Sequence, residues 1–206
     1  MIVRLPSNSA SHPLIDEIYL ARFPSNAGQW PNRLGQETDN AIYCRTEEEA
    51  RNPHAWRLRV PEGIEVRRLT RTFLKRNPGI QGPRHWLLGS NCGQWIYSLM
   101  RDDDGIIRLV RVSVLDGSYD WISENQESIT HPVAIDQQSH RLAYLINKSL
   151  TILDLQSGQE HQIRWDSSAF DQIVGPVQFL KDSNGIFFSA YPTGSDFLQI
   201  WTAILQ

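Results

Sequence analysis

Residues 82–121 read GPRHWLLGSNCGQWIYSLMRDDDGIIRLVRVSVLDGSYDW. Short apolar runs in this stretch are separated by turn residues, and Gly105 and Gly117 each follow an aspartate. An Asp-Gly pair between apolar runs is a strong hairpin signal, because glycine readily adopts the positive φ that such turns need. The pattern predicts one blade of a β-propeller over residues 83–123. Its four strands are expected at 85–88, 94–100, 106–112 and from 119 onwards.

Two later stretches repeat this order of strands and turns. Pro132 and Pro176 lie at their beginnings, as Pro83 does in the first, and Asn, Asp, Ser and Gly separate their apolar runs. A sequence period of tens of residues is typical of arrays such as propellers. A second blade is therefore predicted over 131–166 and an incomplete third blade, without a fourth strand, over 175–205. Periodic short strands also suit a β-sandwich, but the shared order of turns favours the propeller.

Residues 1–70 predict an irregular first blade. Its long insertion, residues 6–40, is rich in proline, glycine and asparagine, which is typical of functional or disordered segments. Within it, the spacing of Ile15, Ile18, Tyr19 and Phe23 predicts a short helix. Strands are expected at 41–45, 54–60 and 64–70, and residues 2–5 predict a further short strand.

These segments together predict a single all-β domain, residues 1–206. The expected fold is a partial β-propeller of about four blades, each an antiparallel four-stranded sheet, the last lacking its outer strand. Three arrangements of the chain ends stay open. Residues 2–5 are either the inner strand of the first blade or the partner of the last blade, or the ring remains an open arc. The open arc is favoured, and its uncovered edges predict association, for example as a homodimer.

Composition excludes some function classes. The 206 residues are 40% hydrophobic and carry a formal net charge of −3, which argues against binding to nucleic acid or to an anionic membrane surface. No run of about 18 apolar residues predicts a membrane span. No apolar segment follows residue 6 to form a secretory signal, so a cytoplasmic location is expected. Cys44 and Cys92 are expected to be free, with a disulfide as the alternative.

A resemblance to known propellers rests on Pro83-Arg84-His85-Trp86, on the run from Leu99 to Asp103, and on Gly105-Ile106. With these residues the chain resembles the six- to eight-bladed propellers of the TolB and prolyl-oligopeptidase N-terminal type. It resembles more closely the C-terminal half of an uncharacterised bacterial propeller family whose members are considerably longer. Weaker similarity extends to residues 16–18, 40–41 and 67–70. The resemblance implies a propeller fold and a cytoplasmic location, and it implies no reaction.

Arg84 and His85 precede an inner strand, and His131 lies at a related place in the next blade. This position predicts side chains at the mouth of a central channel, where they could bind an anion or a metal. The alternative is that they hydrogen-bond to neighbouring turns. Neither an HxH nor an HExxH motif is present, so no metal and no cofactor is expected. Asp102, Asp103 and Asp104 are adjacent rather than spaced as calcium ligands, which favours a solvated turn.

Two functions compete on these residues. The first is a protein- or peptide-binding module or scaffold, in which Trp30 of the long insertion is a candidate contact. The alternative is a hydrolase- or lactonase-like enzyme that uses Arg84, His85 and His131 with an acid in one pocket. No GxSxG, GxGxxG or P-loop motif supports a particular reaction. A third hypothesis is a truncated chain without independent activity.

Overall fold

The computed structural model describes residues 2–5, 15–22, 65–72, 74–80, 87–147, 149–163 and 168–205. These residues form antiparallel β-sheets, which confirms the predicted all-β class. The chain consists of two compact units, residues 1–79 and 80–206. The predicted strands at 41–45 and 54–60, and most of the insertion 6–40, lie outside the described residues.

The N-terminal unit contains a three-stranded sheet in the order β1-β2-β3. Its strands are β1 (Ile2–Leu5), β2 (Ile15–Arg22) and β3 (Glu65–Arg68). The helix predicted near residues 16–23 is wrong, because this segment pairs as a strand with β1 on one side and β3 on the other. Residues 15–18 pair with β1 and residues 19–22 pair with β3, and this tertiary pairing outweighs the helix-like spacing of the apolar residues. Residues 2–5 join this N-terminal sheet, the first of the two pairings considered for them.

The second unit begins with two four-stranded sheets, each in simple chain order. The first has strands β4 (Leu88–Gly89), β5 (Trp95–Arg101), β6 (Ile107–Ser113) and β7 (Tyr119–Trp121). The second has β8 (Ala134–Ile135), β9 (Arg141–Ile146), β10 (Ser149–Asp154) and β11 (Glu160–Ile163). Both predicted complete blades are thus confirmed as antiparallel sheets.

The C-terminal sheet has three strands within the described part of the chain, in the order β12-β13-β14. They are β12 (Phe170–Phe179), β13 (Gly185–Pro192) and β14 (Gln199–Ile204). β12 begins before residue 175, the predicted start of this blade, because Phe170 already pairs with Pro192 at the end of β13. The register shifts between Val174 and Gln178, around Pro176, which has no N–H to donate to the ladder.

One hydrogen bond recurs between the second and third strands of all three sheets in this unit. An N–H just after the third strand donates to a carbonyl just before the second. The Val114 N–H donates to the Gln94 carbonyl at 2.9 Å in the first sheet. The Leu155 N–H donates to the His140 carbonyl in the second sheet and the Leu205 N–H to the Asn184 carbonyl in the third, both at 2.8 Å. Counted from this hydrogen bond, each residue of the second and third strands in one sheet has an equivalent residue in the other two sheets. The positions that matter most below are Leu109, Leu150 and Ile200, which are equivalent.

The turn between the first and second strand is also shared. It ends in a residue with positive φ, namely Gly93 (68°), Ser139 (58°) or Ser183 (59°). The sequence around Gly93 departs from the usual propeller turn, yet its geometry matches the other two. Neighbouring turns are hydrogen-bonded: the Asn91 N–H donates to Ser139 Oγ at 2.8 Å, and an Arg141 Nη donates to the Ser183 carbonyl at 2.6 Å. These bonds hold the three sheets in line.

The sheets stack face to face through two apolar clusters. The first cluster joins the first and second sheets and includes Leu109 and Tyr144. The second joins the second and third sheets and includes Leu150, Ile152 and Phe188. The second sheet therefore presents one face to the preceding sheet and the other to the following sheet, as a blade does in a propeller.

Candidate functional site

One face of the C-terminal sheet lacks the cover that the other two sheets have. Leu109 and Leu150 face the following blade and are 0% exposed, whereas the equivalent Ile200 is 77% exposed. Ile204, on the same side of β14, is 67% exposed. Residues that alternate along a strand share one side of the sheet. This face therefore corresponds to a blade-to-blade contact surface, and no following blade covers it among the described residues.

We call the residues on this side of β13 and β14 the uncovered face. They are Phe187, Ser189, Ile200, Thr202 and Ile204. The exposed apolar surface continues into the connection before β14, where Phe197 is 78% and Leu198 50% exposed. Contiguous exposed apolar side chains mark interaction surfaces more often than isolated ones do.

The outer edge of β14 is also without a strand among the described residues. β14 pairs with β13 alone, whereas the equivalent strands β6 and β10 pair on both edges. The Leu205 N–H points towards β13. Since N–H directions alternate along a strand, those of Ile200, Thr202 and Ile204 point outwards. An unpaired edge of this kind is a template for another strand.

The two complete blades show what covers these positions. In the first, the Ile122 N–H donates to the Leu109 carbonyl at 3.0 Å, and in the second, Ile163 lies opposite Leu150. Both isoleucines pack against the apolar cluster on that side of their blade. The fourth strand therefore supplies both the edge hydrogen bonds and an isoleucine on the face equivalent to Ile200.

A second feature is a buried carboxylate in the N-terminal unit. Glu17 on β2 is 0% exposed, and its carboxylate accepts hydrogen bonds from the Thr72 N–H at 2.8 Å and from an Arg68 Nη at 2.9 Å. The hydroxyl groups of Thr72 and Thr70 also donate to it. Thr70 Oγ1 in turn accepts from the Ile18 N–H at 2.9 Å. This buried network fixes the segment that follows β3 to β2, so we interpret it as structural.

Sequence reasoning missed Glu17 because it assigned that segment to a helix. Arg68 on β3 forms an ion pair with Glu17, whereas its neighbour Arg67 is exposed. Neighbouring residues on a strand point to opposite faces of the sheet, which accounts for this difference between Arg67 and Arg68.

Of the predicted channel-mouth residues, one lies within the described part of the chain. His131 is half-buried before β8, its Nδ1 lies 2.9 Å from Thr130 Oγ1, and burial lowers its pKa. Arg84, His85 and Trp30 lie outside the described residues. Whether the first two converge with His131 on one pocket stays a prediction, and so does the enzyme hypothesis that depends on it.

The structure also describes several smaller features. Asp102 caps its own turn, since its carboxylate accepts from the Ile106 N–H at 2.8 Å and from Arg108 Nε at 2.6 Å. Among the described residues, no group of three or more His, Cys, Asp or Glu side chains is placed to hold a metal ion. The described part of the chain also contains no helix long and apolar enough to cross a bilayer. Cys92 is free and exposed.

Comparison with known proteins supports the same architecture. No family model matches the sequence. The uncharacterised protein YidR of Escherichia coli K12 is 26% identical over 146 residues, which cover 70% of this chain. The chain is a distant homologue of YidR. It spans about a third of that relative's length, 32%.

Solved structures confirm the propeller fold over part of their length. TolB from Acinetobacter baumannii superposes with a TM-score of 0.51 at 11% identity, covering 70% of this chain and 33% of TolB. An oligogalacturonate lyase from Vibrio parahaemolyticus superposes with a TM-score of 0.50 at 15% identity, covering 63% of this chain and 33% of the lyase. At such identities the likeness shows the fold alone. The chain is thus a TolB-like, propeller-related protein.

Proposed function

We propose that this chain is a protein- or peptide-binding module and that it binds through β14. The docking surface consists of the outer edge of β14 together with the uncovered face. Its occupant is an extended segment of a partner protein, which adds to the sheet as a fourth strand. The observation that carries the proposal is the 77% exposure of Ile200, where the equivalent leucines of both complete blades are 0% exposed.

The two complete blades define the chemistry of the segment. It runs antiparallel to β14 and places an isoleucine, or a residue of similar size, opposite Ile200, as Ile163 lies opposite Leu150. Fully burying an aliphatic side chain contributes about 1.5–3 kcal/mol. Each new edge hydrogen bond adds about 0.5–1.5 kcal/mol. Main-chain hydrogen bonds would supply affinity and the isoleucine would supply specificity, as in other cases of strand addition.

The test uses a strand that this protein already contains. A fluorescein-labelled peptide of residues 158–165, GQEHQIRW, spans β11 and carries Ile163. Its fluorescence anisotropy is measured during titration with the full chain. We expect saturable binding, weakened at least tenfold when the peptide carries Ile163→Asp.

A matched pair of variants tests the edge itself. Thr202→Pro removes an outward N–H and leaves the bonds to β13 in place, and proline is tolerated on edge strands. Thr202→Ala keeps that N–H. We expect Thr202→Pro to abolish peptide binding at an unchanged melting temperature and Thr202→Ala to bind within threefold of the wild type. Equal binding by both variants would contradict docking at this edge.

A second copy of the chain is the competing occupant. Multi-angle light scattering distinguishes it, because self-pairing of β14 would double the mass, and Thr202→Pro would restore the mass of one chain. A doubled mass that Thr202→Pro reverses would contradict a partner segment and indicate a homodimer. A monomeric wild type that binds the peptide would support the proposal.

A further inference from the structure

Ile204, at the end of β14, occupies a position that is polar in both complete blades. Counted from the hydrogen bond that the three sheets share, its equivalents are Ser113 and Asp154. Ser113 is 9% exposed and Asp154 is half-buried, whereas Ile204 is 67% exposed. The C-terminal sheet thus differs from the complete blades at this position both in side-chain chemistry and in cover.

In the complete blades the polar side chain at this position holds the turn into the fourth strand. Asp154 Oδ1 accepts hydrogen bonds from the N–H groups of Gln156 and Ser157, at 3.0 and 2.7 Å. Ser113 Oγ accepts one from the Asp116 N–H at 3.4 Å. Short polar side chains of this kind bond to the backbone a few residues further on and stabilise turns. An isoleucine has no acceptor for these bonds, so this position of β14 lacks the turn chemistry of its equivalents.

The residue opposite this position is polar in both complete blades as well. Gln159 lies opposite Asp154, because the Asp154 N–H donates to the Gln159 carbonyl at 2.9 Å. Ser118 lies opposite Ser113 in the same way, at 2.8 Å. Side chains directly opposite each other on antiparallel strands interact, and apolar pairs stabilise the pairing. An exposed isoleucine at this position of β14 therefore favours an apolar residue opposite it.

We propose that the segment bound by β14 carries two aliphatic residues four positions apart, one opposite Ile204 and one opposite Ile200. This inference rests on the proposed function, because it specifies what the same site recognises. Ile200 and Ile204 lie on one side of β14, about 13 Å apart along the strand. Thr202 between them is exposed and polar, so the residue opposite it need not be apolar. Because the segment runs antiparallel to β14, the residue opposite Ile204 comes first in its sequence.

Two peptides of identical composition test the position opposite Ile204. Both derive from peptide 158–165 and displace its labelled form from the full chain. The first carries Gln159→Ile and Glu160→Gln, which places the added isoleucine opposite Ile204. The second carries Glu160→Ile alone, so the added isoleucine lies one residue later and points to the other side of the sheet. We expect the first peptide to bind at least fivefold more tightly than the second, because it removes the exposed surface of Ile204 from water.

The variant Ile204→Ser assigns this preference to one side chain, because serine is the residue of the first blade at the equivalent position. We expect an unchanged melting temperature and affinities of the two peptides within twofold of each other. A preference that persists in Ile204→Ser would overturn the inference. Equal affinities for the wild type, while peptide 158–165 still binds and Thr202→Pro still abolishes that binding, would overturn this inference and leave the proposed function standing. Absence of binding by every peptide would contradict both.

Discussion

Truncation of equivalent residues provides a direct stability test of the uncovered face. Leu150 and Ile200 occupy the same position in their blades, but they are 0% and 77% exposed. Removing a buried leucine side chain beyond Cβ costs about 2–5 kcal/mol, through lost transfer energy and the cavity left behind. Surface substitutions usually change stability by less than about 0.5 kcal/mol. We therefore expect Leu150→Ala to destabilise the protein strongly and Ile200→Ala to leave its stability nearly unchanged.

Urea unfolding monitored by tryptophan fluorescence measures this difference. With a slope of about 2 kcal/mol per M, Leu150→Ala should lower the midpoint by roughly 1–2.5 M and Ile200→Ala by less than about 0.3 M. The measurement is repeated at two protein concentrations at least tenfold apart. A concentration-independent loss of about 2 kcal/mol or more in Ile200→Ala would show that Ile200 is buried within the single chain. That result would refute the reasoning from equivalent positions.

Three further predictions concern the framework around these sites. Glu17→Gln leaves Arg68 without its carboxylate, and breaking a buried ion pair costs about 3–5 kcal/mol. The backbone amide that donates to Glu17 should therefore exchange with solvent at least a hundredfold faster, and an unchanged rate would contradict the structural role of the network. Gly185→Ala places a Cβ 2.9 Å from a backbone oxygen of β14, so a loss of about 1–3 kcal/mol is expected in thermal unfolding, and a neutral result would contradict the close approach. Hydrogen bonds from the side chains of Ser113 and Ser118 lower the pKa of Asp116 from 3.8 to about 2, which carbon-detected NMR titration should reproduce. Because the folded pKa is the lower one, the stability that this aspartate contributes is complete above pH 4 and is lost as the pH falls towards 2. An Asp116 pKa near 4 would contradict these hydrogen bonds.

Much of the architecture could be predicted from local sequence. The Asp-Gly pairs at Gly105 and Gly117 place two turns of the first blade, and both glycines have positive φ. The second and third blades follow because their turns repeat this order. These features depend on a few neighbouring residues, so the sequence displays them directly.

Features that depend on distant contacts could not be predicted in this way. The strand at 15–22 has helix-like spacing, and it becomes a strand because Glu17 bonds to residues some fifty positions away. The candidate site on β14 was partly foreseen, since the sequence predicts an open edge but does not show which side chains lie on it.

Hydrogen exchange at the outer edge of β14 tests the central claim most directly. The amides of Ile200, Thr202 and Ile204 point outwards, whereas those of Trp201 and Ala203 bond to β13. In the free protein the first set should exchange within about tenfold of the unstructured rate, and the second set should be strongly protected. Saturating peptide 158–165 should slow exchange in the first set at least tenfold. Strong protection of the outward amides in the free monomer would contradict an open edge, and unchanged exchange with bound peptide would contradict strand addition there.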